Sequence, residues 1–168
     1  MHNASTMAGM AFANAFLGMS HSMAHKIGAV HHTVHGRTNA ILLPYVIRYN
    51  GTRPSKTTTW PKYNYWKADE KFQDIAKMLG LPHSTPEEAV EAYAKAVYDL
   101  GVAVGIKMNF KDQGIDEKAW KDSLHEIALL AYEDQCSPAN PRLPMVADME
   151  EIMADAYYGY ADRPGRRK

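Results

Sequence analysis

Apolar and small residues fill the chain from Ala4 to His25 on nearly every side of a helical wheel, and no proline interrupts them. The run holds Ala8, Gly9, Ala11, Ala13, Ala15 and Gly18. The pattern predicts a single helix over 4–25, and a helix apolar all round is one enclosed by other elements. Glycine costs a helix interior about 0.8–1 kcal/mol relative to alanine. Tolerating Gly9 and Gly18 therefore predicts close approach of another backbone or of a ligand.

The pattern then changes at Gly28 and Gly36, which bracket an expected loop over 29–35. A second helix follows from about Arg37 to Arg48, with Ile41, Leu42, Leu43, Val46 and Ile47 as its apolar positions and Pro44 inside it. Proline there removes a helix hydrogen bond and should kink the helix or change its direction. Residues 50–65 read as a long polar connection carrying Trp60, Tyr63 and Tyr65, either a functional or docking loop or a packed surface loop.

Helical spacing returns over 69–79, through Phe72, Ile75, Ala76 and Leu79, and stops at Gly80. Thr85-Pro86-Glu87-Glu88 is a helix start with Thr85 as N-cap, Pro86 at the first position and Glu88 at the third. That helix runs to about Leu100. Another opens at Asp116 and carries Trp120, Leu124, Ile127, Ala128 and Ala131; a last one covers 146–158. No alternating strand, repeat or heptad run is present, so the expected class is all-α, a helical bundle-like unit over 1–160. A polar basic tail follows over 161–168.

Composition narrows the function classes. Lys+Arg and Asp+Glu are 19 each, which argues against a dedicated nucleic-acid binder. Hydrophobic residues make up 46% and charge is balanced, which argues against a disordered chain. The lone Cys136 excludes an internal disulfide and fits a reducing, cytoplasmic setting. The apolar run over 7–19 is shorter than the roughly 20 residues of a membrane span, and no Lys or Arg precedes it as in a signal peptide.

Eight histidines are out of line with this balance, and five of them lie between His21 and His35. His21 and His25 are four apart on a predicted helix and share one face. Together with His35 they form the spacing of a partial metal shell, though such pairs also arise as hydrogen-bonded core histidines. Three imidazoles suit several metals, Zn(II) and Fe(II) among them. His31 and His32 read as loop surface; His2, His83 and His125 carry no signal.

The run 8–15, then Gly18-Met19-Ser20-His21-Ser22-Met23-Ala24-His25-Lys26-Ile27-Gly28, then His35-Gly36-Arg37-Thr38-Asn39-Ala40-Ile41-Leu42-Leu43-Pro44, closely resembles the iron-containing (group III) alcohol dehydrogenases. Residues 60–72 and Cys136-Ser137-Pro138-Ala139-Asn140-Pro141-Arg142 resemble the alcohol-dehydrogenase half of that family's bifunctional aldehyde-alcohol dehydrogenase branch. The resemblance covers about residues 1–160. It implies reversible hydride transfer between NADH and a small aldehyde, acetaldehyde and ethanol in this branch, with Fe(II) as Lewis acid. It implies His21 and His35 as two of four metal ligands, His25 as a proton relay, and Phe12 as an aromatic beside the nicotinamide.

Two departures from the family pattern lie in this stretch. Val34 stands where a proline is common, and Tyr45 where a histidine is common; neither removes a ligand. Family members carry an N-terminal dinucleotide-binding domain with the other two ligands, and these 168 residues hold no Gly-rich phosphate loop. The chain is therefore expected to be a C-terminal portion of a longer enzyme, inactive alone and weak in metal affinity. Its expected partners are that domain, the aldehyde or alcohol, and copies of itself in an oligomer or filament; no nucleic acid or membrane is expected. Two other readings stay open: a non-catalytic assembly module or remnant, and a stand-alone helical metal binder using His21, His25 and His35.

Overall fold

In the computed structural model, residues 1–54 and 66–159 are described. Among them the chain forms α1 (His2–Ala15), α2 (Met19–His31), α3 (His35–Gly51), α4 (Ala68–Met78), α5 (Pro86–Ala103), α6 (Glu117–Tyr132) and α7 (Val146–Tyr158), with a 3-10 turn at Ser137–Ala139. No strand occurs among the described residues, so the all-α expectation holds. The basic tail and most of the long polar connection lie outside them. No described helix is long and apolar enough to cross a membrane.

Helix α3 is the organising element. It packs on α2, α4, α5 and α7, while α6 closes the bundle against α2 and α7. The main core joins Met19, Met23 and Ile27 of α2, Ile41, Leu42 and Tyr45 of α3, Trp120 and Ile127 of α6, and Met149, Met153 and Tyr157 of α7. Full burial of such side chains stabilises by about 1.5–3 kcal/mol each. Phe110, Trp120 and Tyr157 stack with ring centroids 4.9 and 5.2 Å apart, at the offset that aromatic quadrupoles favour. A smaller cluster of Ile47, Val90 and Ala94, backed by Phe72, Tyr93 and Val97, ties α3 to α4 and α5.

Local chemistry sets the ends of these helices. Thr85 Oγ1 accepts from the Glu88 N–H at 3.2 Å, and the Glu88 carboxylate accepts from the Ser84 N–H at 2.7 Å. Asp116 accepts from the Ala119 N–H at 2.9 Å and starts α6. α3 runs on past Pro44, a buried residue, to Gly51. A Cβ at Gly51 would stand 2.5 Å from Val90 Cγ2, so only glycine lets α3 approach α5 there.

The first helix departs from its expected form in two ways. It is not one helix over 4–25: it breaks between Ala15 and Met19, where Phe16 takes φ 65° and ψ −179°. That backbone region is essentially reserved for glycine and is strained for phenylalanine. Nor is α1 enclosed among the described residues, where none of its own is buried and it packs closely on no other helix. Of the two glycines expected at close contacts, Gly9 faces open space and Gly18 is tightly packed. A Cβ at Gly18 would meet Asn140 Oδ1 at 2.6 Å. The contact is a side chain rather than a backbone or ligand. The loop expected over 29–35 is also shorter, since α2 runs on through Gly28 to His31.

Candidate metal and relay site

The face of α2 that carries His21 and His25 looks across to the first residue of α3, His35. The turn between the helices is made by His32, whose φ of 54° is the left-handed cap conformation that reverses the chain in few residues. The imidazoles of His21 and His35 lie with centroids 5.3 Å apart, tilted by 54°. His25 stacks on His35 at 5.3 Å with only 16° between the planes, and lies 6.2 Å from His21. Phe12 of α1 reaches the same cluster, 6.2 Å from His21. The four residues singled out in the sequence, carried on three helices, thus gather round one point.

Their environments differ. His21 is half-buried, and its pKa is lowered first by burial and then by the neighbouring His35 and His25. The imidazole is thereby kept neutral, with a lone pair available at neutral pH. His25 Nδ1 is 3.2 Å from Asp134 Oδ2, and Lys26 Nζ is 3.0 Å from the same oxygen. His35 is exposed, and its Nε2 accepts from Asn39 Nδ2 at 3.1 Å. Asn39 is itself oriented by Ser20, whose Oγ lies 3.0 Å from Asn39 Oδ1.

Asp134 and Asn39 were not foreseen from the sequence. Asn39 is four residues after His35 on a helix, a spacing that puts both on one face. Asp134 is 109 positions from His25, and no local pattern signals the pair.

The donor set suits a divalent metal at His21 and His35. A metal about 2.0–2.1 Å from each ring nitrogen holds two imidazole centroids roughly 5 Å apart, the separation of this pair. A ligand bond from His35 Nε2 requires the Asn39 amide to withdraw. His25 is less suited as a ligand, because its ring is stacked parallel to His35 and its Nδ1 is engaged by Asp134.

A second grouping of donors, His25, Asp134 and Cys136, brings three ligand atoms within 4.8 Å of one another. Burial and then the Asp134 carboxylate push the Cys136 thiol up.

Two other histidines make contacts away from this cluster. His31, expected on a loop, belongs to α2; it stacks on Trp120 at 5.2 Å and lies 3.0 Å from Ser123 Oγ. His125 pairs with Glu150 on the surface. A separate cavity of about 290 Å³ is lined by His32, Val34, Arg37, Gln113 and Asp116 among others, and none of His21, His25 or His35 lines it.

Residues 1–157 match the C-terminal part of the Fe-containing alcohol dehydrogenase family, and the chain belongs to that family. It is 80% identical over its whole length to the aldehyde-alcohol dehydrogenase of Streptococcus pneumoniae serotype 2, and 60% identical over 161 residues to aldehyde-alcohol dehydrogenase 2 of Entamoeba histolytica. The chain spans 19% and 18% of the length of these relatives. The crystal structure of a 1,3-propanediol oxidoreductase superposes with a TM-score of 0.75 at 32% identity, covering 92% of this chain and 36% of that one.

Proposed function

We propose that this chain, over residues 1–160, is the metal-side helical part of an NAD-linked, iron-dependent alcohol dehydrogenase that interconverts acetaldehyde and ethanol, and that it is inactive alone. The observation that carries this reading is the convergence of His21, His35, His25 and Phe12 from three helices. In it His21 and His35 are metal ligands, His25 passes the proton between the oxygen substituent of the substrate and solvent, and Phe12 flanks the nicotinamide. When bound, the iron supplies Lewis acidity at the carbonyl or alkoxide oxygen. His21 and His35 hold its place, and Phe12 limits water on the α1 side. A dinucleotide-binding domain supplies the remaining ligands and NAD, and the assembled enzyme works in the cytoplasm.

The test is the chain joined to its dinucleotide-binding domain. The wild-type enzyme is expected to carry one iron and to oxidise ethanol with NAD, and His21→Ala and His35→Ala each to lose both iron and turnover. Unchanged iron content in His21→Ala would overturn the ligand assignment. The isolated chain, with two of the ligands, is expected to bind Fe(II) or Zn(II) only weakly in a calorimetric titration.

One observation favours a second reading, an assembly role in a filament or oligomer. Helix α1 has no buried residue, and Met7, Met10 and Phe12, with Phe16 just beyond it, are open to solvent. Size-exclusion of the assembled enzyme with α1 variants separates the two: a loss of assembly at unchanged turnover supports the second.

A further inference from the structure

The Asp134 carboxylate lies two residues beyond the end of α6, with its side chain only 8% exposed. It receives the Cys136 N–H on Oδ1 at 3.0 Å, and both His25 Nδ1 and Lys26 Nζ approach its Oδ2, at 3.2 and 3.0 Å. A carboxylate has about four acceptor sites, and three donors already engage this one.

These contacts separate two uses of the His25–Asp134–Cys136 grouping. As a metal centre it would have to give up the Lys26 ion pair and deprotonate a thiol that its surroundings hold up. As a hydrogen-bond network it needs neither change. Burial raises the carboxyl, but the Cys136 N–H, Lys26 and His25 outweigh burial and hold it well below the usual carboxylate range. An ionised carboxylate only accepts, so in neutral His25 the hydrogen on Nδ1 faces Asp134 and the lone pair is on Nε2. Among the described residues His25 makes its one hydrogen bond through Nδ1.

We propose that Asp134 is a positioning residue for His25: it fixes the ring and its Nδ1–H tautomer, so that Nε2 is the atom that exchanges the proton. The proposal rests on the relay role given to His25 above. The same logic governs the buried aspartate of serine-protease triads, which holds its histidine in one tautomer. Partners of this kind behind a functional histidine are worth about 10–100-fold in activity or metal affinity.

The test reads the tautomer directly. Nitrogen-15 NMR of the chain at about pH 9, above the imidazole range, distinguishes Nδ1–H from Nε2–H. Free histidine in water favours Nε2–H. Wild type is expected to show His25 as Nδ1–H, Asp134→Asn and Asp134→Ala to lose that preference, and Asp134→Glu to restore part of it. Lys26→Ala removes the ion pair but keeps the carboxylate and should leave the tautomer unchanged. A dominant Nε2–H form in wild type overturns the proposal, and this reading does not depend on any variant folding.

In the assembled enzyme, Asp134→Asn should lower kcat by about 10–100-fold with KM for the aldehyde little changed. An equal change in KM at constant kcat also overturns it. Full turnover in His25→Ala would instead remove the relay reading, while the NMR result still decides what Asp134 does to the ring.

Discussion

The carboxamide of Asn140 caps a helix that begins 121 positions earlier: its Oδ1 accepts from the Met19 N–H at 3.2 Å, at the first turn of α2. The same side chain donates from Nδ2 to Asn50 Oδ1 at 2.7 Å and to the Arg142 carbonyl at 2.6 Å. Asn140→Ala strands these buried groups, so it should cost about 2 kcal/mol or more in chemical denaturation. Gly18→Ala pushes a methyl into the same carboxamide and should cost about 1–3 kcal/mol. The two losses should be far from additive, since both act on one contact.

Asp134 makes a pH-dependent contribution at the same scale. Its pKa is depressed in the folded state, so its stabilisation is fully present above the ordinary carboxylate range near 4 and is lost as pH falls through the folded value. Denaturation of wild type and Asp134→Asn should therefore differ most at neutral pH. The gap should shrink as pH drops below about 4. A constant gap from pH 7 to 3 would show that the depression is not realised.

At the scale of elements, the helices differ in how locally they are specified. The start of α5 is written in four consecutive residues, and Thr85→Ala should cost about 1 kcal/mol through the lost cap. A Thr85→Ser change should cost much less, since serine supplies the same acceptor. Helices α5, α6 and α7 were legible in the sequence for this reason: Thr85 and Asp116 cap within three residues, and the apolar spacing of Trp120, Ile127 and Ala131 is that of one buried face.

The division of α1 from α2 was not legible. It depends on Gly18 meeting Asn140, a contact made only after the chain has folded. The candidate site was legible in the same measure. His21, His25, His35 and Phe12 lie close in sequence and came through spacing and family resemblance. Asp134 and the Asn39–Ser20 pair that orient them come from long-range packing or from an amide whose role no motif marks. The all-round apolar character of residues 4–25 points to a cover larger than these 168 residues, and α1 has no buried residue within them. Apolar patterning reports that a surface is to be covered, not by what.

That exposed helix decides how the whole molecule should behave. Met7, Met10 and Phe16 are each more than half exposed, and Phe12 nearly so. Such a contiguous apolar stripe on a soluble chain marks a contact surface or an aggregation liability. Helices α2, α3, α6 and α7 share the main core, so α1 should exchange its amide hydrogens fastest while α2, α3 and α7 are protected. The isolated chain should then associate with rising concentration in light scattering. Replacing Met7, Met10 and Phe16 together by Glu should abolish that association and leave the main thermal melt nearly unchanged, because none of the three is buried. A monomer at all concentrations, or a melt that falls with the triple substitution, would mean that α1 is held against the bundle in solution. In the assembled enzyme, slow exchange over residues 2–15 with Met7 and Phe16 protected from oxidation and labelling would show that the stripe has found its cover. Continued fast exchange there would turn the reading toward contacts between enzyme copies, because the surface would still be waiting for a partner.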